Sequence, residues 1–212
     1  MEYITTRDLV ALHTIHYPDI QITQGQTVFI KGPSGCGKTT LFHLLNGTLT
    51  PTGGSVFFHG DNIATMNPLA LRRKILLVNQ QAFLFPGTIA DNFKAYHTYR
   101  HTPTPGPKDQ QHFLQLAQVE FLPTTEVAHL SGGEQQRVFN AIMLSMDAEV
   151  FLWDEPTAAL DSEAAHAFMT AIKHHAQNHN LTNLIITHDD VLPDVFGDAH
   201  IELQAPKRGE QQ

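Results

Sequence analysis

Nine consecutive residues, Gly32, Pro33, Ser34, Gly35, Cys36, Gly37, Lys38, Thr39 and Thr40, combine three glycines, a lysine and two threonine hydroxyls. They fit G-x-x-x-x-G-K-[ST], with Gly32, Gly37, Lys38 and Thr39 at the fixed positions. Glycines let backbone N–H groups approach anionic oxygens with no Cβ in the way. A helix that starts at such a loop adds the positive end of its dipole. The types and spacing predict a phosphate cradle in which Lys38 reaches the β- and γ-phosphates and the Thr39 hydroxyl binds Mg²⁺. A second set is the pair Asp154 and Glu155 after the apolar run "VFLW". Asp154 is expected to hold Mg²⁺ through water, and Glu155 to orient or deprotonate an attacking water. A third set is "LSGGEQQR" at 130–137. There Ser131, Gly132 and Gly133 precede a helical run and offer a second backbone anion site. Ser131 alone also suits an ordinary helix N-cap.

Strands and helices flank these groups in alternation. "QTVFIKG" reads as a buried strand before the cradle, and "KTTLFHLLNG" as a helix stopped at Gly47. "SVFFHG", "KILLVNQ", "EVFLWDEP", "TNLIITHDD" and "AHIEL" read as further strands. Residues 87–145 turn helical, interrupted by "HTPTPGPKDQ", which reads as a Pro-rich surface loop. "SEAAHAFMTAIKHHAQNH" is an amphipathic helix. Alternating strands and helices imply a mainly parallel α/β sheet. Asp154 then falls at the C-terminal end of a strand, where open α/β sheets bind ligands.

Composition narrows the function. With 21 acidic and 13 basic residues the formal net charge is −8, a poor match for wrapping nucleic acid. No apolar run reaches the roughly 20 residues that span a bilayer. The start, "MEYITTRDLV", has no apolar core of leader length. The single Cys36 excludes an internal disulfide, which suits the cytoplasm. Among 14 histidines, His174, His175 and His179 are the densest group. His175 and His179 have the spacing of a metal pair, but a solvated helix face is the expected reading.

Taken together these motifs resemble the ATP-binding cassette (ABC) ATPases over nearly the whole chain. "GPSGCGKTT" resembles the Walker A loop, "LSGGEQQR" the signature and "VFLWDE" Walker B. "AALD" resembles the D-loop with Asp161, "ITHD" the switch with His188, and "VNQQAFLFPGTIADN" the glutamine loop with Gln80. The resemblance implies a P-loop cassette fold: a RecA-like, mainly parallel α/β core, an N-terminal antiparallel β part and an inserted α-helical subdomain. It implies one domain over 1–212, with a catalytic core at 1–86 and 146–204, the helical subdomain at 87–145 and a loose tail at 205–212. ATP and Mg²⁺ are the implied cofactors. Lys38, Glu155, His188 and Gln80 are the implied catalytic set. Gln80 touches the ion or the water and relays motion to a membrane partner. His188 contacts the γ-phosphate. Two copies pair head to tail on ATP, with Ser131, Gly132, Gly133 and Asp161 acting across the dimer. The chain departs from the family in three places. No aromatic at 9–11 offers to stack on adenine, leaving His13, His16 or Tyr17, and Tyr17 is read as starting a strand. Trp153 stands where an aliphatic is usual. Ile142 stands near where an arginine often follows the signature.

The leading reading is the ATPase subunit of a transporter, similar to small stand-alone cassettes that include an iron- or metal-export group. The missing span makes the permease a separate chain and places the protein on the cytoplasmic face of the membrane. Phe83, Leu84 and Phe85, just after Gln80, are expected to dock the permease, with packing inside the helical subdomain as the competing reading. The alternative class is a soluble, non-transport cassette, for example in iron–sulfur assembly or repair. A metabolic P-loop kinase has no use for the signature. Trp153, beside Asp154, is expected to change its fluorescence when nucleotide orders that carboxylate, with a plain core tryptophan blind to nucleotide as the competing reading.

Overall fold

The computed structural model describes residues 2–205, so 206–212 of the expected tail lie outside the described residues. Strands β1 (Glu2–Ala11), β2 (Ile15–His16) and β3 (Gln21–Thr23) lead into β4 (Thr27–Lys31) and helix α1 (Lys38–Leu45). Next come β5 (Gly53–Phe58), β6 (Asp61–Asn62), α2 (Pro68–Lys74) and β7 (Ile75–Val78). Three helices follow: α3 (Ile89–Arg100), α4 (Pro107–Leu116) and α5 (Gly132–Leu144). The chain then returns through β8 (Val150–Asp154), α6 (Ser162–His179), β9 (Thr182–Ile186), α7 (Leu192–Phe196) and β10 (Ala199–Glu202).

Two sheets result. β10, β4, β9, β8 and β7 lie side by side in that order, all parallel. β1 forms an antiparallel sheet with β2, β3 and β5, and β6 extends it. The parallel strands are apolar on both faces because both are covered. Phe151 and Trp153 of β8 enter one core with Phe93, Val138 and Phe168 from α3, α5 and α6. Val150 and Leu152, on the opposite face, join Leu41 and Phe42 of α1 and Val56 and Phe58 of the antiparallel sheet. Each fully buried side chain of this size contributes roughly 2 kcal/mol. The expected α/β fold, with an antiparallel N-terminal part and helices between β7 and β8, is the observed one.

Some local expectations shift. The Pro-rich stretch, expected as loop through Gln110, ends earlier: Pro107 opens α4, where a fixed φ and a missing N–H cost nothing. α2 was not anticipated; Asn67 caps it by accepting from the Leu69 and Ala70 N–H groups, and Pro68 takes its first turn. Tyr17 starts no strand, lying between β2 and β3. Glu149, just before β8, ties the layers by accepting from Tyr3 Oη (3.0 Å) and Lys74 Nζ (2.8 Å), with His59 Nε2 also 2.8 Å away. Burial opposes its charge, but hydrogen bonds from Lys74, His59 and Tyr3 outweigh that and hold its carboxyl below the usual range.

The histidine group divides. His174 and His179 are exposed, but His175 is half-buried, so the solvated-face reading fails there. Its ring packs edge-on to Phe113 of α4 at 6.1 Å and lies 4.6 Å from His179. Burial first, then the charges of His179 and His112, lower its pKa from 6.5 to about 4. Between those values the unfolded chain holds a proton that the folded chain does not. Stability therefore falls as pH drops from about 6.5 toward 4. Allowing for solvent at a half-exposed ring, the loss at pH 5 is on the order of 1 kcal/mol. Urea unfolding at pH 7.5 and 5.0 should show a smaller pH effect in His175→Gln than in the wild type.

Candidate functional site

The order of the parallel strands brings the distant motifs together. β4, β9, β8 and β7 are neighbours, and the loops at their C-terminal ends carry, in turn, the 32–37 loop, His188, Asp154 with Glu155, and Gln80. A cleft of about 250 Å³ opens there, lined by Ser34, Gly35, Gly37, Lys38, Thr39, Thr40, Ile15, Ile186, Glu155 and His188.

The loop conformation requires its glycines. Gly37 caps α1 with φ 97°, and a Cβ there would lie 2.7 Å from Tyr17 Oη. A Cβ on Gly32 would meet Leu203 O at 2.6 Å and Cys36 Sγ at 2.8 Å. Lys38 is buried and donates to Gly32 O (2.8 Å) and Pro33 O (3.2 Å), so its ammonium is folded back over the loop. Thr39 Oγ1 donates to Asp154 Oδ2 at 2.9 Å, which joins the start of α1 to the end of β8. Gly32, Pro33 and Cys36 do not line the cleft, and the Cys36 side chain is buried in the core beneath it.

Glu155 is gripped at both oxygens. Gln80 Nε2 donates to Oε2 at 2.7 Å, and His188 Nε2 lies 2.8 Å from Oε1. The Glu155 side chain is 18% exposed and that of His188 65%. Glu155 holds φ 53°, a left-handed backbone that costs a non-glycine residue on the order of 1 kcal/mol. The turn sets its carboxylate between the neighbouring strand ends.

The remaining predicted residues stand elsewhere. Ser131, Gly132, Gly133 and Asp161 do not line the Lys38 cleft. Ser131 caps α5 in a reciprocal box with Glu134, and Asp161 caps α6 by accepting from Ala164 N at 2.9 Å. Their capping chemistry is complete within one chain. Ser131, Gly132 and Asp161 are nonetheless exposed.

Of the neighbours of the loop, Ile15 was not anticipated, and Tyr17 is there as a packing partner. Ile15 lines the cleft, while the exposed His13 and His16 do not. Tyr17, buried, donates to Gly37 O at 3.0 Å, and burial with Cys36 beside it pushes its phenol up to about 12. Only the register of β2 against β1, with Ile15 opposite Ala11, puts these side chains at the loop.

Residues 15–158 match the family model described as ABC transporter. The chain is 33% identical over 183 residues to the probable iron export ATP-binding protein FetA of Escherichia coli (strain K12), covering 86% of this chain and 80% of that one. It is 34% identical over 174 residues to the glycine betaine/carnitine/choline transport ATP-binding protein OpuCA of Bacillus subtilis (strain 168), covering 81% of this chain and 46% of that one. Against OpuCA and several similar relatives the chain thus spans about half their length. It superposes on the dimeric post-hydrolysis state of an ATP-binding cassette bound to ADP and Pi with a TM-score of 0.79 and 26% identity, covering 96% and 97% of the two chains.

Trp153 does not line the cleft. It is fully buried, donates from Nε1 to Asn183 Oδ1 at 3.0 Å and stacks on Phe151 at 5.5 Å. Its side chain lies on the helical face of the sheet, whereas Asp154 meets Thr39 at the start of α1. This packing favours the competing reading of a plain core tryptophan. Emission in the Glu155→Gln protein should stay at the blue wavelength of a buried indole, and saturating MgATP should leave it unchanged. A shift would show that β8 itself moves.

Proposed function

The chain belongs to the ABC transporter family, and from that membership we propose that it powers a separate membrane permease as an ATP-driven, head-to-tail pair of copies. It is an ATPase. The observation that carries the reading is the meeting of Gln80, Glu155 and His188 beside Lys38, Thr39 and Asp154 at the ends of adjacent parallel strands.

In this reading the triphosphate enters over the N-terminus of α1. Lys38 exchanges the Gly32 and Pro33 carbonyls for β- and γ-phosphate oxygens, and the loop N–H groups take the rest of the charge. Glu155, once one of its oxygens is freed, accepts a hydrogen bond from the attacking water. The water oxygen bonds to the γ-phosphorus as its proton passes to Glu155, the bridging P–O bond breaks, and ADP leaves with the electron pair. His188 steadies Glu155 and the γ-phosphate. Thr39 Oγ1 and Asp154 Oδ2, 2.9 Å apart, are hard oxygen donors of the kind Mg²⁺ takes alongside water and phosphate. The Gln80 amide oxygen is a third donor, so the residues fit the ion. When bound, Mg²⁺ neutralises charge on the phosphates.

The signature residues lie off the Lys38 cleft, which supports a nucleotide site shared between two chains. A second copy supplies Ser131, Gly132, Gly133 and Asp161. The core at 1–86 and 146–204 and the helical part at 87–145 are proposed as the two parts that move. For the permease, the surface after Gln80 is the proposed dock. Phe83 and Tyr99 are 61% and 72% exposed, and Phe85 bridges them, 5.0 Å from the Phe83 ring and stacked on Tyr99 at 5.8 Å. Leu84 packs instead against the helical core. No helix among the described residues is long and apolar enough to cross a membrane. A separate permease would hold the protein at the cytoplasmic face.

With purified protein, Lys38→Ala should lower turnover by about 100-fold or more. In the same assay Glu155→Gln should bind ATP, hydrolyse almost none and elute as a dimer from size-exclusion chromatography with ATP and Mg²⁺. A Glu155→Gln protein that binds ATP and stays monomeric would count against the pairing. A photo-crosslinker at Phe83 in membranes should capture an integral membrane chain. Capture of soluble proteins alone would favour the non-transport alternative.

A further inference from the structure

Two amides on α5 have no part in the chemistry above. Gln136 and Asn140 are four residues apart and so share a helix face. Asn140 is 1% exposed, and its neighbours Val138, Phe139, Ala141 and Ile142 are all buried and apolar. A buried primary amide is costly unless both ends are bonded. Here they are. Asn140 Nδ2 donates to Pro156 O at 3.1 Å, and Asn140 Oδ1 accepts from Gln136 Nε2 at 3.3 Å. Gln136 Oε1 in turn accepts from Ala82 N at 3.0 Å.

The partners at the two ends are informative. Ala82 is two residues after Gln80, and Pro156 follows Glu155. Gln80 Nε2 donates to Glu155 Oε2 at 2.7 Å, which closes the circuit. The loop after β7 and the turn after β8 are thus joined twice, once by Gln80 with Glu155 and once by Gln136 with Asn140. The helical backbone between positions 136 and 140 is rigid, so the second link fixes how far apart the two loops stand. The same helix begins at Gly132, directly after Ser131, so a pull on its N-terminus would reach both loops together.

We propose that Gln136 and Asn140 are positioning residues for hydrolysis, which hold the Gln80 loop and the Glu155 turn at the separation that lets the Gln80 amide meet the Glu155 carboxylate. The proposal rests on the assignment of Gln80 and Glu155 to the reaction. Neither amide lines the Lys38 cleft; each acts through the backbone it anchors.

Gln136→Glu tests it. The new carboxylate still accepts from Ala82 N but cannot donate to Asn140, so one link breaks with almost no change of shape. Gln136 is half-buried, and the variant is expected to melt within about 2 °C of the wild type. Its kcat should fall about tenfold with KM for ATP unchanged, since small misplacements of reacting groups are costly. In a Gln80→Ala background the same substitution should cost nothing further, because the pair it positions is gone. Wild-type kcat in Gln136→Glu would overturn the proposal, as would an equal loss on top of Gln80→Ala. Glu155→Gln is run alongside. Wild-type turnover there would remove the assignment of Glu155 and this proposal with it. An inactive Glu155→Gln beside a fully active Gln136→Glu would remove this proposal alone.

Discussion

Both oxygens of one carboxylate, that of Glu155, are held by side chains from neighbouring strand ends, and much of the structure follows from that requirement. Gln80 arrives from β7 and His188 from β9, on either side of β8. Only a parallel sheet delivers three successive strand termini to the same edge. Only the left-handed turn at Glu155 swings the carboxylate between them. The strain of that turn is local, and the backbone bond from Glu155 N to Ile186 O at 3.0 Å holds it in place.

A parallel sheet in turn demands two covers. One face of β8 presents Phe151 and Trp153 to α3, α5 and α6; the other presents Val150 and Leu152 to α1 and the antiparallel sheet. In the proposed function the two covers carry different halves of the chemistry. α1 starts at the phosphate loop, and α5 starts at the signature. The sheet thus separates a phosphate-binding side from a side that bears the aromatic surface around Phe83 and Tyr99.

The two glycine-rich anion loops differ in how they are satisfied. Lys38 folds over its own loop and bonds the Gly32 and Pro33 carbonyls. Ser131 and Asp161 are engaged as helix caps and stay at the surface. A cap oxygen accepts from its own helix and still leaves the first-turn N–H groups free to bind an anion. In the proposed pairing, a residue can therefore serve as an ordinary cap in one chain and complete a site in another.

In the sequence by itself one could read the glycine-rich loop before α1, the Asp154–Glu155 pair after β8, the 130–137 motif before α5 and the alternation of strands with helices. These rest on local spacing: glycines where a Cβ would clash, apolar runs of strand length, and caps before helices. It also misled where local rules compete. Pro107 looked like a loop breaker yet starts a helix, because its missing N–H falls in a first turn that needs none. His175 looked solvated yet lies against Phe113, because the α4–α6 seam joins residues far apart in sequence. Trp153 sits next to Asp154 in sequence but on the opposite face of the sheet, since successive strand residues point apart. Only the tertiary structure decided that Gln80, Glu155 and His188 meet, that Ile15 and Tyr17 reach Gly37, and that Gln136 and Asn140 bridge two loops. Each of those contacts depends on strand order and helix docking, and these arise from burying apolar faces that no short stretch of sequence contains.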